Sequence, residues 1–100
     1  MRWFRITVSP AQAANNELSF LQNQFIEVFM AAEQPKNMAL FSSQSAPNVF
    51  YICASKAALS CVNVIIDFYN AQPCQKPTDE KLNLLAGNAS RIQKLLSNSP

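Results

Sequence analysis

From Trp3 to Val8 apolar and polar positions alternate, with Phe4, Ile6 and Val8 on one side and Trp3, Arg5 and Thr7 on the other. Period two is the mark of a half-buried strand, so the chain is predicted to open on one. Ser9-Pro10 then supplies a helix start. The Ser9 hydroxyl can accept from first-turn amides, Pro10 suits the first helical position, and Gln12 falls where a capping box wants Glu or Gln. Beyond it Leu18, Leu21, Phe25, Val28, Phe29 and Ala32 recur at steps of three and four. They form the apolar stripe of a first helix, which stops at Glu33, before Gln34-Pro35.

Residues 38–43 and 49–54 both read as extended, and the turn formers from Gln44 to Asn48 between them predict a hairpin. In its second strand Phe50, Ile52 and Ala54 share one face and Val49, Tyr51 and Cys53 the other, so both faces are apolar. A strand greasy on two sides belongs in the middle of a sheet. Ser55 offers an N-cap to a second helix through Tyr69, apolar around much of its circumference and therefore expected to be deeply packed, ending by Gln72-Pro73. Ser60, Asn63, Asp67 and Asn70 fall on one face of that helix and read as its solvent stripe, with Asp67 solvated.

The last quarter is read as a connector from Pro73 to Pro77, a short edge strand over 82–87 that Gly87 ends, and a C-terminal helix from Asn88 through Ile92, Leu95 and Leu96. Thr78-Asp79-Glu80 could instead cap a helix there, which would leave a three-stranded sheet. The strand reading is adopted because β-α-β-β-α-β is the split arrangement of the ferredoxin-like class. The predicted fold is α+β: a small antiparallel sheet with two helices packed on one face, ferredoxin-like in tendency, plus the C-terminal helix. Residues 1–96 form one domain, and 97–100 form a disordered tail.

Composition changes this picture by subtraction. The chain has no histidine, six acidic residues and eight Lys/Arg. Losing imidazole removes the commonest general base, the usual partner of a Ser or Cys nucleophile and the commonest metal ligand. No cofactor is implied, since the single glycine rules out a phosphate-cradling loop of the P-loop or dinucleotide kind. A net charge of +2 is too small to attract nucleic acid strongly. The N-terminal segment carries a charge inside what would have to be the apolar stretch of a secretory signal, and no run approaches the roughly 18 apolar residues of a membrane span, so the chain is read as soluble and cytoplasmic. Cys53, Cys61 and Cys74 lack the spacing of a metal site and are read as free thiols.

With 49% apolar residues and 14% charged ones, the chain is expected to act by contact rather than catalysis, as a binding domain that forms a homodimer or receives a protein partner. The candidate contact residues are Trp3, Arg5 and Tyr51 on the sheet face away from the helices, together with Phe41. An aromatic and arginine platform of this kind could also stack bases, but no basic-aromatic run supports it. An alternative function is a small-molecule site in an apolar cleft between the sheet and the helices or at a dimer seam, lined by Phe41, Tyr51 and Trp3. A lesser one is an enzyme using Cys53, placed where a strand hands over to a helix beside Ser55 and Lys56.

Overall fold

The computed structural model describes residues 2–9, 17–31, 37–46, 48–78 and 81–87. Their elements run β1 (Arg2–Thr7), α1 (Glu17–Ala31), β2 (Met38–Ser43), β3 (Val49–Ala54), a 3-10 turn (Lys56–Ala58), α2 (Leu59–Tyr69), β4 (Gln72–Cys74) and β5 (Leu82–Gly87). The five strands make one sheet in the order β4-β1-β3-β2-β5, antiparallel throughout. The α+β class, the opening strand, the hairpin and the central place of β3 all match expectation.

The ends of the sheet do not. The expected closing strand, 82–87, pairs with β2 on one edge, so the strand order differs from the ferredoxin-like expectation. The place beside β1 is taken by Gln72–Cys74, read from sequence as a connector because of Pro73. Proline lacks an N–H but is tolerated on an edge strand, where one side of the ladder is unpaired. The expected helix from Asn88, the tail at 97–100 and the helix start at Pro10 lie outside the described residues.

One face of the sheet packs on the helices. Phe4, Ile6 and Val8, Met38 and Leu40, and Phe50, Ile52 and Ala54 join Leu21 and Phe25 of α1 and Val62 and Ile65 of α2 in the principal core. Phe25, Leu21, Ile65 and Val62 are fully buried, as the stripes at steps of three and four require. Ser55 caps the entry to α2: its Oγ accepts from the Ala58 N–H at 3.3 Å and its carbonyl from the Leu59 N–H at 3.1 Å. The helix ends at Asn70, which takes the left-handed conformation (φ 52°, ψ 46°). The Ala71 N–H then donates back to the Ile66 carbonyl at 2.9 Å, turning the chain directly into β4.

β5 is held by two devices. At the irregularity between Leu40 and Phe41 their partners step from Ala86 to Leu84, and the Leu85 carbonyl accepts from Gln22 Nε2 of α1 at 3.1 Å. At its end Gly87 has φ +122° opposite Ala39, and a Cβ there would sit 2.6 Å from Ala39 Cα and clash with the Met38 carbonyl oxygen. Only glycine fits.

Candidate functional site

The register brings the sequence candidates onto one surface. Arg5 pairs with Tyr51 and Tyr51 with Phe41, while Trp3 and Ala39 both pair with Cys53. All of these lie on the sheet face opposite the helices. The small side chains of Cys53 and Ala39 in the row of Trp3 leave room for the indole to reach across β3. It stacks on Phe41 with centroids 5.7 Å apart and planes 25° apart.

That face is not the open platform expected. Trp3, Phe41 and Tyr51 are 5–6% exposed and form a second core with Ala39 and Cys53, flanked by Val49, Cys74 and Leu82. As contact anchors for another molecule Trp3 and Phe41 are therefore spent within the chain. Neither do they line a cleft between sheet and helices, which is filled by the principal core. Arg5 alone of the four is exposed.

Cys53 is fully buried, and burial pushes its thiol up from 9.0 to about 12. A nucleophile needs the thiolate, so this sulfur is a core atom rather than a reactive one. The expected position at the strand-to-helix handover is right, but the side chain points into the second core.

Beside Arg5 and Tyr51 the surface opens again. The segment after β4 passes alongside them and closes a shallow cavity of about 270 Å³, lined by Arg5, Tyr51, Cys74, Gln75, Lys76, Pro77 and Thr78. Arg5 and Lys76 bring two cations to it, and none of the described residues that line it is a carboxylate. Partial burial raises the Cys74 thiol, and the nearby Arg5 guanidinium pulls it the other way, which places that charge close to the cavity wall. The sequence reads Cys74 as a free thiol and Thr78 as part of a possible helix cap, and assigns none of Cys74, Lys76 and Thr78 to a site. Their only signal was the connector itself, and its path depends on the unrecognised β4.

The second open region is the outside of the helix layer. Phe20, Ile26 and Met30 of α1 are 51%, 39% and 75% exposed, and Val64 and Phe68 of α2 are 56% and 63% exposed. The Phe20 and Phe68 rings meet across the two helices at 6.1 Å, and Phe68 packs edge-on to Tyr69 at 5.0 Å. Helix α2 is thus not deeply packed as expected. Val64 and Phe68 follow directly after Asn63 and Asp67 of the solvent stripe, so they sit at its border. The stripe itself is as read: Ser60, Asn63, Asp67 and Asn70 are all exposed.

Charge is segregated between these regions. The acidic residues among those described, Glu17, Glu27 and Asp67, all lie on α1 and α2, which carry no Lys or Arg. Arg2, Arg5, Lys76 and Lys81 lie on strands or beside them, and Lys56 on the turn before α2. Among the described residues no group of three or more His, Cys, Asp or Glu could hold a metal ion, and no helix is long and apolar enough to cross a membrane. No family model, curated protein or solved structure matches this chain.

Proposed function

We propose that the chain is a non-catalytic binding module whose helix layer receives a cationic amphipathic segment of a partner protein. The observation that carries this is the pairing of five exposed large hydrophobics with acidic-only helices. Exposed apolar side chains grouped on one surface favour association, and Glu27 and Asp67 beside them favour a basic partner. The sheet edges offer a poorer docking place. β4 is three residues long and contains Pro73, while β5 is irregular beside Leu85 and ends in Gly87, and both devices blunt strand addition.

The competing reading is a homodimer. A two-fold contact through the helix layer would set each acidic helix pair against its own copy, a like-charge arrangement that costs association energy. A mixed heterotypic contact is therefore the better fit. The fold serving it reads as a ferredoxin-like sheet, order β4-β1-β3-β2, extended by β5. Three free cysteines accord with a reducing, cytoplasmic setting.

The test uses a labelled Leu/Lys amphipathic peptide and its Leu/Glu counterpart, followed by fluorescence anisotropy, with sedimentation of the protein alone. The expected result is saturable binding of the Leu/Lys peptide only, weakened by Phe20→Ser, by Phe68→Ser and by added salt. Equal binding of both peptides, no binding, or a dimer dissolved by the same substitutions overturns the reading.

A further inference from the structure

We propose that the cavity beside Arg5 and Tyr51 is a binding site for the phosphate group of a small phosphomonoester. The argument is independent of the helix layer and rests on what lines this cavity. Arg5 and Tyr51 are direct cross-strand partners on the face opposite α1 and α2, so the exposed guanidinium stands next to a ring that is 5% exposed and immobilised in the second core. A guanidinium offers a planar fork of N–H donors that matches phosphate oxygens in pairs. Opposite it the segment after β4 brings the half-buried Lys76 and the exposed Thr78, an ammonium and a hydroxyl, to the same cavity.

Three features select the ligand. The described lining residues include two cations and no carboxylate, a combined charge of +2 that matches the −1.5 to −2 of a phosphomonoester near pH 7 better than it matches a single carboxylate. A cavity of about 270 Å³ lies at the small end of ligand sites, so it admits a phosphate and a few further atoms rather than a dinucleotide. Pro77 fixes one backbone dihedral in the wall between Lys76 and Thr78, which limits how far those two groups can drift apart. Cys74 contributes shape here rather than charge, since its thiol is held in the neutral form by partial burial.

The site also differs in kind from a nucleic-acid surface. A sheet that binds single strands stacks bases on exposed aromatics, and here Trp3, Phe41 and Tyr51 are withdrawn into the second core. What remains accessible is suited to the phosphate alone.

The experiment follows amide and Arg Nε signals of the isotopically labelled full chain by NMR. It is titrated separately with inorganic phosphate, with glycerol phosphate, with acetate, and with an oligothymidylate lacking a terminal phosphate. Saturable shifts at Arg5, Lys76 and Thr78 are expected with the two phosphates, with acetate far weaker and the oligonucleotide ineffective. Arg5→Gln and Lys76→Met are each expected to weaken binding about tenfold, the loss of one charge-assisted hydrogen bond. Arg5 is exposed and Lys76 half-buried, so unchanged thermal midpoints will confirm that the variants fold. Shifts that do not saturate, that acetate matches, or that survive both substitutions would show an adventitious ion only. A response to the oligonucleotide equal to that of glycerol phosphate would reassign the cavity to nucleic-acid backbone.

Discussion

The two broad apolar surfaces of this protein have exchanged the roles that residue type alone would assign them. The face of the sheet opposite α1 and α2 presents Trp3, Phe41 and Tyr51, the side chains most suited to gripping a partner, and all three are buried within the chain. The helix layer, whose second helix is apolar enough to promise deep burial, leaves Val64 and Phe68 more than half exposed. The contrast shows that hydrophobicity measures a demand for cover. Whether the demand is met depends on geometry: a helix lying on a sheet hides one stripe, and any apolar residue beyond that stripe stays outside.

The sharpest way to break this comparison is to truncate one residue on each side. Trp3→Ala removes a buried indole and its stack on Phe41, and the expected loss is about 3–5 kcal/mol by denaturant unfolding. A loss under about 1 kcal/mol would mean that the face is open after all. Alkaline pH probes the same core. Burial lifts the folded Cys53 thiol from 9.0 to about 12, so the unfolded thiol ionises first as pH rises. Stability from this group is intact below about pH 9 and is lost between about pH 9 and 12. The loss amounts to about 4 kcal/mol at the upper end, at 1.36 kcal/mol per pKa unit. Melting curves of Cys53→Ala should fall less steeply over that window than those of the parent chain, and parallel slopes would place the thiol near solvent.

Gly87→Ala tests the strand that serves both surfaces. Leu82 of β5 packs on the second core and Leu85 on the principal one, so the clash with Met38 and Ala39 should cost about 2 kcal/mol. An unchanged midpoint would show that β5 contributes little to either. Smallest of all is Phe68→Ala on the exposed helix surface, expected to change stability by no more than about 0.5 kcal/mol. A larger loss would make Phe68 part of the fold rather than of a contact surface.

Most of the framework was legible because alternation and the steps of three and four survive into the structure. Residues 38–43 and 49–54 are strands at the boundaries read from sequence, and Arg5 faces Tyr51 as the alternation implies. The failures cluster where neighbours, not residue types, decide. Pro73 reads as a breaker, yet beside β1 it occupies an edge that does not need its missing N–H. Residues 82–87 read correctly as a strand, but nothing in six residues says which edge they join. The cavity was half visible for the same reason. Arg5 and Tyr51 belong to legible strands, whereas Lys76 and Thr78 reach it only because β4 turns the chain past them.

The single indole of the chain sits in the row between two thiols, for Trp3 is paired with Cys53 on one side and Cys74 on the other. Sulfur close to an excited indole drains its emission, and a dry environment shifts that emission to short wavelength. The native protein should therefore glow faintly and blue, then brighten and redden as the sheet comes apart. The indole is thus a built-in optical gauge of the sheet's integrity, readable without any label.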